Sequence, residues 1–122
     1  PILRNIEKLI EDVLDNPMLR GITFSGGDPW EQAEEFAYMA KAFKKNNLNI
    51  WCYTGYTFEY ILKHKKERNG WQELITNIDV LVDGKFDINK KDENLKYRGS
   101  SNQRIIDVKK SLESDMIVIM EY

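Results

Sequence analysis

The nine residues 21–29, GITFSGGDP, join the pattern of a strand to the pattern of a helix start. The first five are mostly β-branched or aromatic, a composition typical of a short buried strand. Gly26 and Gly27 then permit a sharp turn and a close approach of the backbone to a ligand, because neither carries a Cβ. Asp28 is a good helix N-cap and Pro29 suits the first helical position. The stretch therefore predicts a strand, a tight loop and a helix in direct succession.

Helical and extended patterns alternate on both sides of this stretch. Upstream, apolar residues at helical spacing predict a helix over residues 2–14. Downstream, a helix is expected to run from the Asp28 cap to Asn46-Asn47. The remaining predicted elements are a strand at 49–54, a helix from Thr57 to Asn69-Gly70, a short helical turn at 71–77, a strand at 78–83, an irregular polar segment at 87–103, a possible short strand at 104–108 and a last apolar strand at 116–120.

The order of these elements indicates an α/β fold. Strands that are apolar throughout, rather than alternating, are typical of a parallel sheet covered by helices. Ligands of such sheets lie beyond the carboxyl ends of the strands. The loops expected to form the site are therefore residues 25–29, 54–57 and 83–86, where glycines and polar residues occur together. The first loop lacks the later glycine of a dinucleotide fingerprint and the Gly-Lys-Ser/Thr of a phosphate loop, and an ordinary strand-to-helix turn is its alternative interpretation.

Composition narrows the possible functions. The 122 residues correspond to one domain, and 18 basic against 20 acidic residues give a net charge of −2, which argues against nucleic acid as a partner. No apolar run approaches the roughly 20 residues that cross a bilayer, and no signal peptide is recognisable, so no membrane association and a cytoplasmic location are expected. One cysteine and one histidine cannot build a structural zinc site or an iron–sulfur site, so no metal ligands are predicted.

Three segments together resemble the radical-SAM activating enzymes of glycyl-radical enzymes. Residues 21–29 are similar to the strand and loop that bind S-adenosylmethionine (SAM), with Asp28 where the family more often has Glu. Residues 79–86, DVLVDGKF, resemble the strand that ends beneath the SAM site. Residues 97–104, YRGSSNQR, are similar to a segment associated with activases of anaerobic ribonucleotide reductase. The resemblance extends from about residue 21 to residue 112.

This resemblance implies a fold and two cofactors. The expected fold is a partial (β/α) barrel that lacks its first strand and cluster loop in this chain, so that residues 1–122 form the C-terminal part of a single radical-SAM domain. The family's Cys-x3-Cys-x2-Cys motif is absent from the sequence and is expected upstream of the first helix. A [4Fe-4S] cluster is thus implied for the complete protein, with its ligands outside this chain, and SAM is the second cofactor.

The activity implied by the resemblance is reductive cleavage of SAM to generate a glycyl radical on anaerobic ribonucleotide reductase. That reductase would be the protein substrate, and an electron donor such as flavodoxin would reduce the cluster. Without the cysteines the chain alone is expected to be inactive. Two alternatives stay open, namely an activase of another glycyl-radical enzyme such as pyruvate formate-lyase, and a cluster-free module that binds SAM or a partner without chemistry.

The resemblance and the loop positions together assign candidate site residues. In the first loop the backbone would bind the SAM amino group, and Lys85 would pair with the SAM carboxylate. The expected SAM-binding residues are Ser25, Gly26, Gly27, Asp28, Thr54, Tyr56, Asp83 and Lys85. The residues expected to shape the pocket or meet the partner are Arg98, Gly99, Ser100, Ser101, Asn102 and Gln103. Capping or packing is the alternative for residues 54 and 56, a solvated turn for 83 and 85, and a self-bonded loop for 98–103.

Three further expectations concern residues outside the site. Cys52 lies in an apolar strand and is expected to be a buried, inert thiol. His64 falls in the basic run 63–68 and is expected at a solvated helix end. The first βα unit of the implied barrel is missing from this chain, which would leave an edge strand unpaired. The isolated chain is therefore expected to be poorly stable or self-associating.

Overall fold

The computed structural model describes residues 2–122, with side chains from Asn5 onward, as a mixed α/β structure with a four-stranded sheet. Two 3-10 turns, at Pro29–Gln32 and Ile88–Lys90, accompany the regular elements. In chain order the helices and strands are α1 (Ile2–Leu14), β1 (Gly21–Phe24), α2 (Ala33–Lys45), β2 (Asn49–Tyr53), α3 (Phe58–His64), α4 (Trp71–Thr76), β3 (Val80–Asp83), β4 (Arg104–Asp107) and α5 (Val108–Ser114).

The strands lie in the order β1-β2-β3-β4. The first three are parallel, with Cys52 opposite Phe24 on one side and Leu81 on the other. The expectation of a parallel sheet is therefore confirmed for these strands, but β4 pairs with β3 in the antiparallel direction. A parallel connection needs a crossover that carries the chain back along the sheet. Residues 84–103 stay at the carboxyl end of β3 instead, so that β4 starts where β3 stops.

The main core lies between the sheet and its helices. Ile50, Cys52 and Leu81 are fully buried on the helical face of the sheet. Two tryptophans fill the space at the start of α2 and α4, with the ring centroids of Trp30 and Trp71 5.5 Å apart in an edge-to-face arrangement. The Trp71 indole N–H donates to the Trp30 carbonyl at 2.9 Å. This packing fixes the helices that follow β1 and β2.

A smaller apolar cluster covers part of the opposite face, built on Val80, Val82 and Ile105. The predicted last strand at 116–120 approaches it but is not a strand. Its backbone makes two hydrogen bonds to the β4 region and a single bridge between Ile106 and Ile119. Met116 is 71% exposed, because the segment crosses the sheet edge rather than joining the ladder.

Helix boundaries differ from expectation at two places. Asp28 caps as predicted, since its side chain accepts from the Trp30 N–H, but a 3-10 turn precedes α2. The predicted helix from Thr57 to Gly70 is too long, because α3 ends at His64. The chain then turns through residues 65–70, and Gly70 with φ of +82° starts α4. A Cβ at Gly70 would lie 2.5 Å from the Glu34 backbone nitrogen, so only glycine fits this close approach.

Among the described residues β1 pairs only with β2, so β1 is an edge strand and Thr23 on it is exposed. None of the helices within residues 2–122 is long and apolar enough to cross a membrane. That the sheet belongs to a radical-SAM partial barrel stays a prediction, as do the single-domain assignment and the poor stability expected of the isolated chain.

Candidate functional site

A cleft of about 230 Å³ lies at the carboxyl ends of the three parallel strands. It is lined by Ser25, Gly26, Asp28, Tyr53, Thr54, Gly55, Gly84, Lys85, Phe86 and Gln103. All three loops predicted from the sequence contribute to it. A larger cavity of about 430 Å³ lies between residues 95–105 and the last four residues of the chain, away from the glycine loop.

The glycine loop forms one wall and leaves its backbone open. Gly26 has φ of +93°, a conformation that side chains disfavour. A Cβ built at Gly26 or Gly27 would meet no atom within 4 Å, and residues 25–27 are exposed. Apart from their chain neighbours, no described residue occupies the space beside these two glycines. The loop can therefore bring backbone carbonyl and amide groups close to a ligand.

Asp28 joins the first loop to the second. Its carboxylate accepts hydrogen bonds from the Trp30 N–H at 3.0 Å, the Thr54 hydroxyl at 3.0 Å and the Gly55 N–H at 2.9 Å. The Thr54 hydroxyl in turn accepts from the Tyr56 N–H at 3.1 Å. Asp28 is half-buried and has donors on both oxygens. Its position therefore fixes the wall of the cleft, and its carboxylate is held by the protein.

Lys85 forms the opposite wall. It follows Gly84, whose φ is +92° and whose N–H donates to the Tyr56 carbonyl at 2.9 Å. A Cβ built at Gly55 would lie 3.3 Å from Lys85 Cγ and 3.7 Å from Asp28 Oδ2. The lysine stem thus crosses over Gly55, on the side where Asp28 lies. The exposed amine is free to meet an anion at the cleft mouth.

Asp83 faces away from this cleft. It is 1% exposed and accepts from the Phe58 N–H at 2.8 Å and from Arg104 Nε at 3.0 Å and Nη2 at 2.6 Å. Arg104 also contacts the more exposed Glu59. The bond from Arg104 lowers the pKa of Glu59, and the bonds to Asp83 and Glu59 raise the pKa of Arg104. Asp83 therefore ties β3 to α3 and β4.

Tyr56 also lies outside the cleft. Its hydroxyl donates to Glu31, and that hydrogen bond raises the pKa of Tyr56. Its ring packs against Trp71 at 5.1 Å, and the Arg68 guanidinium lies 4.4 Å above the Trp71 ring. The backbone of Tyr56 nevertheless reaches the site, through its carbonyl bond to Gly84.

Within the predicted loop 98–103, only Gln103 lines the cleft. Arg98 Nη1 donates to the carbonyls of Ser101 at 3.1 Å and Gln103 at 2.7 Å, so the loop is largely bonded to itself. Ser100 is fully buried and its hydroxyl accepts from the Asp87 N–H at 3.1 Å. The Phe86 ring packs on Gly99, where a Cβ would lie 3.0 Å from the ring. The loop thus supports the segment that carries Lys85.

The described residues do not fit a [4Fe-4S] cluster, which is usually held by several thiolates. Cys52 is fully buried in β2, as expected, and its pKa is raised by burial and by the negative charge of Asp28. His64 contacts Glu67 at 2.9 Å on the surface. Within residues 2–122, no three histidine, cysteine or carboxylate side chains are placed to hold a metal ion.

Sequence reasoning missed four lining residues, Tyr53, Gly55, Gly84 and Phe86. Three of them belong to the loop segments or strand ends already singled out, so their position after the strands was the available signal. Tyr53 is the last residue of β2 and lies inside the strand predicted at 49–54, so the loop pattern did not include it. Its hydroxyl donates to the Tyr97 carbonyl, 44 positions along the chain.

Comparisons with known proteins find a matching family model and several curated relatives. Residues 1–106 match the family model described as a 4Fe-4S single cluster domain. The chain is 36% identical over 104 residues to an anaerobic ribonucleoside-triphosphate reductase-activating protein of Vibrio cholerae, covering 81% of this chain and 63% of that protein. The proteins of the same name from Escherichia coli K12 and Enterobacteria phage T4 are 35% and 32% identical, over 80% and 83% of this chain and 62% of each relative.

The chain spans about 63% of the length of the first of these relatives. No solved structure matches it significantly. The family match and the identities above 30% over four fifths of the chain nevertheless agree on one assignment. The chain belongs to the 4Fe-4S single cluster domain family and, within it, to the anaerobic ribonucleoside-triphosphate reductase-activating proteins.

Proposed function

We propose that this chain forms the SAM-binding part of an activase that generates a glycyl radical on anaerobic ribonucleotide reductase. The single observation that carries the proposal is the cleft at the ends of β1, β2 and β3. It combines the open backbone of the glycine loop with the amine of Lys85, which makes no hydrogen bond or ion pair with another described residue. The names of the relatives supply the reductase as the target.

The residues of the cleft fit the methionine portion of SAM, which carries an ammonium and a carboxylate. The backbone of Ser25, Gly26 and Gly27 would bind the ammonium through its carbonyl groups, since a Cβ built at either glycine meets no described atom within 4 Å. Lys85 would bind the carboxylate as a point charge. Asp28 and Thr54 would hold the two loops in place rather than contact SAM, since their polar groups already bond each other.

The volume of the cleft indicates that it would enclose only part of SAM. Closed ligand pockets have volumes of about 300–1,000 Å³. The 230 Å³ of this cleft would enclose the amino-acid part, and the nucleoside would lie outside it. When bound, SAM together with a reduced [4Fe-4S] cluster would supply the radical chemistry. The chain's own residues would orient SAM, and an electron donor such as flavodoxin would reduce the cluster.

A second candidate is a module that binds SAM or the reductase without chemistry. A module that binds SAM would require the same cleft as the activase, so SAM binding does not separate the two. Formation of a glycyl radical does.

The cleft is tested by calorimetry, which measures SAM binding to the protein produced anaerobically from its gene. Lys85→Met keeps the length of the side chain and removes the charge that would meet the carboxylate. Hydrogen bonds to charged groups contribute about 1.5–3 kcal/mol, so the dissociation constant should rise about tenfold to a hundredfold. Lys109→Met, an exposed lysine on α5, is the matched control and should bind as the wild type does. Equal affinity in Lys85→Met would remove this cleft as the SAM site.

A further inference from the structure

We propose that Gln103 is the positioning residue for Lys85, and that it thereby sets the affinity of the cleft for a ligand carboxylate. The inference rests on the proposed SAM site. Gln103 lines the cleft beside Lys85, 18 positions away in sequence. No element of the sequence pattern connects the two residues, and the connection arises from three hydrogen bonds of one side chain.

The Gln103 amide bridges two segments of backbone. Its Oε1 accepts from the N–H groups of Gly99 at 2.9 Å and Ser100 at 3.2 Å. Its Nε2 donates to the Gly84 carbonyl at 3.0 Å. The reverse orientation would place an NH₂ group against two N–H donors and an oxygen against a carbonyl. The partners therefore fix the amide in one orientation.

These bonds define the backbone that carries Lys85. The Gly84 carbonyl is held by Gln103, and the Lys85 carbonyl accepts from Asn102 Nδ2 at 2.8 Å. On the preceding side, the Gly84 N–H is held by the Tyr56 carbonyl. With both peptide groups around Lys85 fixed, the direction of its Cα–Cβ bond is fixed as well. From this direction the side chain passes over Gly55, where Lys85 Cγ lies 3.3 Å from the position of a Cβ.

The frame behind Gln103 is itself anchored. Ser100 is fully buried, and Arg98 bonds the Gln103 carbonyl. The Asp92 N–H also donates to the Gly99 carbonyl at 3.2 Å. Gln103 therefore connects the anchored loop 98–103 to the segment that follows Gly84, a glycine with a positive φ. Gly84 alone, with its wide conformational freedom, would not hold that segment.

The effect of losing Gln103 on binding should depend on whether the ligand carries a carboxylate. If Gln103 acts through Lys85, its loss should weaken binding of SAM and should spare decarboxylated SAM, which lacks the carboxylate. General damage to the cleft would weaken both ligands alike. The comparison of the two ligands therefore separates positioning of Lys85 from a merely structural role.

The test uses the protein produced anaerobically from its gene, with the variants Gln103→Met and Asn102→Ala. Methionine matches the length of glutamine without adding a charge that could repel the carboxylate. Gln72→Met, on a half-buried glutamine of α4, is the control. Calorimetry gives the affinities for SAM and decarboxylated SAM, and hydrogen exchange of residues 84–87 is followed without ligand.

For Gln103→Met we expect about fivefold weaker SAM binding, unchanged binding of decarboxylated SAM, and faster exchange of residues 84–87. Equal weakening of both ligands, unchanged SAM binding, or unchanged exchange would each overturn the inference. If Gln103→Met does not fold, Asn102→Ala, which removes one bond to the same segment, replaces it. This variant must weaken SAM binding by less than about fivefold and leave the binding of decarboxylated SAM unchanged. A wild-type chain that does not bind SAM would overturn the proposed function, and this inference with it.

Discussion

Replacing Asp28 by asparagine tests whether its carboxylate holds the loop at residues 25–29 to the loop at residues 54–57. Asparagine keeps an oxygen for the Trp30 N–H, but one of its two side-chain positions becomes an NH₂ group. In the native chain Oδ2 accepts from the Gly55 N–H at 2.9 Å, and the Thr54 hydroxyl lies 3.0 Å from each oxygen. In the variant two N–H groups would face each other at Gly55, and the remaining bonds would lose the charge of the acceptor.

The expected cost follows from these contacts. A hydrogen bond to a charged group contributes about 1.5–3 kcal/mol, so Asp28→Asn should lower the free energy of unfolding by about that amount. Asp28→Ala also removes the N-cap, worth about 1 kcal/mol, and should cost about 2.5–4 kcal/mol in all. Domains of this size have unfolding free energies of about 5–15 kcal/mol, so both losses are measurable.

Urea unfolding followed by circular dichroism measures both variants. Asp15→Asn is the matched control, since Asp15 is exposed and should show a change within about 0.5 kcal/mol. The slope of the free energy against urea should stay constant, which would place the effect in the folded state. An Asp28→Asn variant as stable as the control would refute the view that this carboxylate joins the two loops.

Four further predictions concern other residues of the chain. Arg104→Met leaves the buried carboxylate of Asp83 without its cation and should destabilise the fold by about 3–5 kcal/mol in urea unfolding; a loss below 1 kcal/mol would contradict the role given to this pair. Because Arg104 lowers the pKa of Glu59 in the folded chain, Glu59 contributes stability above its ordinary pKa of 4.5, and that stability is lost as the pH falls through the lowered value. Glu59→Gln should therefore flatten the fall of stability below pH 4.5, and an unchanged pH profile would argue against it. Cys52 should resist alkylation at pH 8 until the chain is unfolded, because burial raises its pKa; rapid labelling of folded protein would contradict its burial. Gly70→Ala should lose more than about 1 kcal/mol of stability, whereas Gly27→Ala, with open space for a Cβ, should keep its stability and lose SAM affinity; the opposite pattern would reverse the roles of the two glycines.

The local sequence pattern was sufficient to predict the loops that line the cleft. Asp28 and Pro29 indicate the start of a helix, and the two glycines before them indicate a loop after a strand. Because parallel strands end at the same edge of a sheet, the strand pattern alone predicts that the three loops lie together. The structure confirms that meeting, with residues from each loop around one cleft.

Contacts between distant residues account for what was missed. Asp83 was expected at the ligand, yet its carboxylate is held by Arg104, 21 positions later, and only the antiparallel return of β4 brings them together. The segment 116–120 has the composition of a strand, but tertiary packing gives it one bridge. Neither fact is encoded in a local pattern, since each depends on the path of the connecting loop.

The most direct test of the central claim is the formation of a glycyl radical on anaerobic ribonucleotide reductase. The protein, produced anaerobically from its gene, would be mixed with the reductase, SAM and a reductant, and the radical would be followed by electron paramagnetic resonance. We expect a glycyl-radical signal that requires SAM and that falls strongly in Lys85→Met but not in Lys109→Met. The absence of any signal with a cluster-loaded protein that still binds SAM would contradict the activase and leave a binding module.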